Sequence, residues 1–431
     1  EYIAPYYVSS WQQQAVSELT KKDTNYYNYI WDNILTYNNQ WGKHNFGAML
    51  GYSMRQQQYR YMWGKANNVP EGKDEWLYLS QGNAEGVTLG DDGYCYRGQS
   101  YFTRLSYDYA GKYLLTFTMR ADGSSKYQEH WGYFPSVGAA WVISEEDFWK
   151  PIKPIINYMK FRVSMGLVGN DKIGGSRFMY QPDPYGINNE TAPNRLGYGY
   201  FFGINNGTIS KGAYEQARNN ADVTWEKAFK QNYGVDFSLL NDRLKTGFDY
   251  YKEHRKDIFI TRRVIPDYSG FVEMPYANLG VVDNKGFEAT LEYTQQLGKK
   301  CFLTVRGNFS WNEDKIIEND DPRVQYPWME KRGTNVNGRW GWIAEGLFTS
   351  EEEIMDHAKQ FGEGHPGQIS KVGDIKYKDL NGDGVIDDYD KCLIGQGDVP
   401  KIYYGFGANT DIIAASVEAY IDCINKFKLG V

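Results

Sequence analysis

The chain has 431 residues, a formal net charge of −7 and 16% aromatic residues. That charge excludes a nucleic-acid binder of the basic-patch kind, and the absence of any apolar run of about 18 residues excludes a transmembrane helix. Four scattered cysteines (Cys95, Cys301, Cys392, Cys423) form no CxxC and give neither a redox pair nor a metal framework.

The 37 Tyr, 13 Trp and 46 Gly sit in a chain of mean hydropathy −0.64. A polar chain this aromatic suggests an all-β protein with Tyr-rich surfaces, as in glycan-binding proteins or in barrels with aromatic girdles. The predicted elements are strands of period two. Segments 101–109, 113–120 and 244–250 alternate. In 158–167, Met159, Phe161, Val163, Met165 and Leu167 alternate with Lys160, Arg162 and Ser164. In 233–239, Tyr233, Val235, Phe237 and Leu239 alternate with Asp236 and Ser238. The same holds for Phe287, Ala289, Leu291 and Tyr293 in 286–293, and for Leu303, Val305, Phe309 and Trp311 in 301–312. Alternation alone fits both a soluble sandwich and a membrane barrel.

The connections separate the two. Very short turns (41–43, 110–112, 240–242, 297–299) alternate strictly with long links (about 61–99, 169–230, 253–283 and 313–400). A transmembrane barrel with short periplasmic turns and long extracellular loops sorts its links this way, whereas links this long are uncommon in compact soluble domains. The expected fold is an all-β, antiparallel transmembrane β-barrel with long extracellular loops, of which about eleven strands are counted here.

The longest link holds "DLNGDGVIDDYD", 379–390. Calcium takes hard oxygen ligands at loop positions 1, 3, 5, 7, 9 and 12, with Gly at 6. Those positions are Asp379, Asn381, Asp383, Val385 (through its carbonyl), Asp387 and Asp390, with Gly384 at the sixth and Ile386 placed to pin the loop to a core. Asp390 stands where Glu is usual, and the flanks are not amphipathic helices. The bland alternative is an Asx-rich turn without metal. A bound calcium here is expected to be structural rather than a switch.

No catalytic set stands out. The five His (His44, His130, His254, His357, His365) lack any ligand spacing. Glu145, Glu146 and Asp147 fall in a predicted periplasmic turn and read as solvated. The inward polar residues Lys160, Arg162, Asp236, Asp249, Glu288, Glu292 and Arg306 either line a substrate route or merely hydrate a lumen. Tyr198, Tyr200, Phe201 and Phe202 in "YGYGYFFGINN" are candidate substrate contacts, since sugar rings pack on aromatics; interface-girdle residues are the rival reading.

Several stretches resemble the SusC/RagA-like TonB-dependent outer-membrane transporters. They include "NILTYNNQWGKHNFGAMLGYS" (33–53), "YLLTFTMRADGSSKY" (113–127) and "WGYFPSVGAAWVISEEDFW" (131–149). The same holds for "VTWEKAFKQNYGVDFSLLNDRLKTGFDYYKEHRKDIF" (223–259), "NLGVVDNKGFEATLEY" (278–293), "EGLFTSEEEI" (345–354) and "GDIKYKDLNGDGVIDDYDKCLIGQGDVPKIYYGF" (373–406). The resemblance runs from about 25 to 410, in the family's order.

It implies import of oligosaccharides, or peptides, across the outer membrane of Bacteroidota. It also implies a 22-stranded barrel, a SusD-like lipoprotein partner, contact with outer-membrane lipid, and energy from a TonB complex reached through an N-terminal part that is missing here. Residues 1–410 are then about half of such a barrel, 313–400 are its long extracellular loop, and 411–431, no longer family-like, stay unassigned. An open sheet with lipid-facing edges is not viable, so the chain is expected to be a piece of a longer polypeptide. The main rival is a secreted, calcium-stabilised β protein that binds glycans. A polysaccharide hydrolase is disfavoured by the lack of a placed carboxylate pair.

Overall fold

The computed structural model describes residues 1–9, 11–173, 180, 185–187, 200–202, 208–210, 213–215, 220–266, 274–296, 302–360, 370–397 and 399–409. One antiparallel sheet of twelve strands dominates, and its spatial order is the order of the chain. The strands are β1 (Tyr2–Ile3), β2 (Glu18–Trp41), β3 (His44–Asn67), β4 (Thr88–Tyr109), β5 (Tyr113–Ser124), β6 (Trp131–Val142), β7 (Ile156–Asn170), β8 (Glu226–Leu239), β9 (Leu244–Thr261), β10 (Tyr276–Gln296), β11 (Phe302–Glu318) and β12 (Ile402–Asn409). The expected eleven strands are present, and the twelfth is the two-residue β1.

The strands run well past the ends that alternation marks. β3 continues to Asn67 and β4 begins at Thr88, so the expected 61–99 link shrinks to 68–87. The other long links become 171–225, 262–275 and 319–401. The cause is solvation. Where both faces are wet the side-chain pattern fades, but backbone pairing continues without it. Nor is the sorting of links strict, since only 125–130 separates β5 from β6 on the long-link side.

On the short-link side, the β8–β9 turn puts Leu240, Asn241 and Asp242 all in the left-handed region (φ 57, 57 and 65°). That conformation is unfavourable for Leu. It is held by the Asn157 side-chain oxygen, which accepts from the Asn241 and Asp242 N–H at 2.8 and 3.3 Å.

Buried apolar clusters are small and sit where long links leave the sheet. One joins Tyr127, Phe134, Ile173, Val223 and Trp225; the other joins Leu19, Ala66, Val69 and Leu77. Within the 319–401 link, Arg339–Gly341 pairs with Cys392–Gly395, and Ala344–Leu347 pairs with Ile375–Tyr377. A short helix, α1 (Glu351–Asp356), starts at Ser350, whose hydroxyl accepts from the Glu353 N–H. This is an N-cap, and the Glu353 carboxylate reaches back to Thr349 N and Oγ1.

Candidate functional site

The sheet has two chemically opposite faces. One face is a continuous apolar band aligned by register. The row Trp141, Phe161, Val235, Phe248, Ala289, Phe309 and Tyr404 crosses seven strands without a charge. Its members stay accessible: Phe161 is 41% exposed and Tyr404 83%. Apolar surface on this scale is unstable in water and is the surface that lipid covers.

Aromatic rings edge the band. At the long-link edge Trp31, Tyr52, Tyr101 and Trp131 touch in series across β2 to β6, with centroids 6.4, 5.1 and 5.7 Å apart. At the short-link edge His44 stacks near Tyr107 and Tyr109, and Tyr109 on Tyr113. The two belts are separated on β4 by the eight residues from Tyr101 to Tyr109, about 27 Å along the strand and about 20 Å of height at a tilt near 40°. His44 sits exposed at this edge, hydrogen-bonded to the Tyr107 hydroxyl (2.7 Å).

The other face carries the inward polar residues, and the structure joins most of them. Arg162 on β7 binds Asp236 on β8 at 2.8 and 2.9 Å, and Asp249 on β9 at 3.2 and 3.0 Å. Asp249 is two strands away. The guanidinium reaches it by passing over Gly234, which faces both Arg162 and Asp249 in register. A Cβ there would lie 2.6 Å from Asp249 Oδ1 and 2.8 Å from Arg162 Cζ, so the bridge requires glycine. Arg306 binds Glu292 at 2.8 Å, and Arg255 joins Glu226 and Glu253. Lys160 and Glu288 have no ion pair among the described residues. Sequence reasoning names Arg162, Asp236 and Asp249 singly. The bridge depends on register, and its one local signal is a glycine inside a strand.

The acidic turn is also more than solvated. Glu146 accepts from Tyr113 Oη (2.7 Å), Trp141 Nε1 (3.2 Å) and Lys112 Nζ (3.2 Å). These donors hold its carboxyl below the usual range. Glu146 thus clamps the turn to the strand ends.

In the 319–401 link, the 379–390 loop closes on its own backbone. Asp379 accepts from the Gly382 and Gly384 N–H at 2.6 and 2.8 Å, Asn381 from Asp383, Asp383 from Val385, and Asp387 from Tyr389. Gly382 and Gly384 take φ of +75 and +83°, a conformation that suits glycine. Asp390 is fully buried, and its two oxygens accept from Leu380, Asn381 and Asp387 N–H. Ile386 is buried, and two indoles tie the loop down: Trp342 Nε1 donates to the Asp387 carbonyl and Trp328 Nε1 to that of Tyr389.

The donors are hard oxygens at the calcium spacing. As folded, though, Asp390 serves the backbone, and among the described residues no three acidic, His or Cys side chains converge as a metal cluster. Tyr198 lies outside the described residues, as does 411–431. Of Tyr200, Phe201 and Phe202 only the backbone is described, a short strand paired with Thr208–Ser210.

A lipid-type outer face, a charged inner face and links gathered at one edge are now all in place. The family model "TonB dependent receptor-like, beta-barrel" matches residues 4–389. The chain belongs to that family. It is 29% identical over 410 residues to TonB-dependent receptor P39 of Formosa agariphila, covering 86% of this chain and 37% of that protein. It is 30% identical over 304 residues to TonB-dependent receptor SusC of Bacteroides thetaiotaomicron, covering 68% of this chain and 28% of SusC. The fold superposes on the RagAB peptide importer in its 'open-open' state with TM-score 0.70 at 20% identity, over 95% of this chain and 42% of that one.

The chain thus spans about a third of the curated relatives it matches. The SusC/RagA-like character expected from the motifs holds, as does the outer-membrane location. The family is one of receptors and transporters rather than enzymes. In this barrel class the short links face the periplasm and the long ones the exterior.

Proposed function

We propose that this chain builds part of the wall of an outer-membrane importer for oligosaccharides or peptides, energised by TonB and working with a SusD-like lipoprotein lid. The observation that carries the reading is the inside-out sheet. Its apolar, aromatic-belted face is built for lipid, and its opposite face holds a ladder of ion pairs that suits a hydrated passage. The importer has no covalent step. Its work is gated passage, with the long links meeting the lid. The test is fractionation of the full-length protein, followed by affinity capture and uptake assays. It is expected to need detergent, to retain a lipoprotein and to support uptake of either a glycan or a peptide. Purification from aqueous buffer as a free glycan binder would overturn the reading.

We further propose that calcium, when bound, is held by Asp379, Asn381, Asp383, the Val385 carbonyl and Asp387, while Asp390 closes the loop beneath them. The support is the oxygen spacing and the accessible Asp383, with the half-buried Asp379 and Asp387. Binding requires the carboxylates to turn from backbone N–H groups toward the ion. Limited proteolysis with calcium or a chelator tests this. Protection of the 319–401 link by calcium is expected, and identical cleavage under both conditions would remove the ion from the account.

A further inference from the structure

On the outer face of β9, β10 and β11 the apolar band ends in a single step. The register row Tyr250, Phe287 and Trp311 is aromatic. The next row toward the exterior, two residues or about 7 Å along the strand, is Lys252, Lys285 and Glu313; the row beyond is His254, Asp283 and Lys315. On the neighbouring strand β8 the residues facing Lys252 and His254 are Gln231 and Phe229, so the step to charge begins at β9.

The charges do not cancel. His254 and Asp283 face each other at 2.6 Å. Lys285 Nζ lies 3.0 Å from Glu313 Oε2, and Lys315 Nζ 3.7 Å from Glu313 Oε1, so two ammonium groups share one carboxylate. Lys252 is exposed and has no hydrogen bond or ion pair among the described residues. Counting His254 as neutral, three ammonium groups against the two carboxylates of Glu313 and Asp283 leave one positive charge in excess. The Lys285 ammonium also stands 5.9 Å from the centroid of the Trp311 ring. A lysine ammonium beside an interfacial aromatic ring suits the depth where headgroups meet the apolar band.

We propose that Lys252, Lys285 and Lys315 form a docking surface for the phosphate of an outer-leaflet lipid. The occupant follows from position and sign. The patch faces away from the lumen, so a transported substrate does not meet it. It begins one pleat beyond the aromatic row, at the depth where lipid headgroups lie, and its excess charge is positive. Glu313, between the lysines, limits how strongly the phosphate is held.

The full-length protein in lipid nanodiscs provides the test. The probe is lipid A carrying its phosphates, matched against the same lipid A after dephosphorylation, with bound lipid counted by native mass spectrometry. The wild type is expected to favour the phosphorylated form. Combining Lys252→Gln, Lys285→Gln and Lys315→Gln is expected to cut that preference by about tenfold or more, whereas Glu313→Gln is expected to raise it. Equal retention of the two lipids by the wild type, or an unchanged preference in the triple variant, would overturn the proposal. If the triple variant does not fold, Glu313→Gln decides alone, and an unchanged or weakened preference overturns it.

Discussion

Phe161 and Arg162 are adjacent on β7 and live in different solvents. Phe161 packs near Trp141, at 6.4 Å between centroids, within a row that seven strands share. Arg162 turns the other way and holds two aspartates across a glycine. The outer face gains by shedding water into lipid, so any apolar side chain of fitting size serves there. The inner face stays hydrated, so what it builds depends on which charges the register brings together. Tolerance to substitution should differ accordingly: broad in shape but strict in polarity outside, and the reverse inside.

The largest effect is expected from Val163→Arg, which puts a charge in the middle of the outer band. It should cost about 2–4 kcal/mol, measured as the shift in denaturant midpoint for folding into bilayers. A neutral result would mean that this face is not lipid-covered. Gly234→Val comes next. Its side chain would push aside the flexible tips of Arg162 and Asp249 and break their bridge, at a cost of about 1 kcal/mol. Gly234→Ala is expected to do less damage but still to part Arg162 from Asp249.

Arg162→Met should barely change stability, by about 1 kcal/mol or less, because Arg162 and its two aspartates stay partly exposed on a hydrated face. Its readout is passage of charged solutes in planar bilayers. An unchanged selectivity would reduce the inner ladder to scaffolding.

The smallest effect concerns acid. Lys376, with the Thr349 N–H and hydroxyl, pulls the Glu353 carboxyl down to about 2. A depressed carboxylate stabilises the fold above its unfolded value near 4.5 and loses that contribution as pH falls toward about 2. The protection factor of amides around α1, corrected for the pH dependence of intrinsic exchange, should therefore stay constant from pH 7 to about 5 and fall below about 4. Glu353→Gln should flatten that fall.

Much of the wall is legible in the sequence. Met159 to Leu167 and Phe287 to Tyr293 declare their outward side because lipid filters one face alone. The strand ends are not legible. From Arg55 to Lys65 strand β3 has lost its pattern while remaining paired residue for residue with β4. The 379–390 loop is legible as a spacing of oxygens, but its closure is not. No rule of spacing says that Asp390 turns inward and binds three backbone N–H groups.

The sequence by itself determined the alternation, the grouping of long links and the family, because each is written in residue type along one strand or one turn. The tertiary structure alone decided the Arg162 bridge over Gly234, the Glu146 clamp, and the lysine rows above Trp311. These depend on which residues face one another across strands, and register is set by the whole sheet rather than by any one segment.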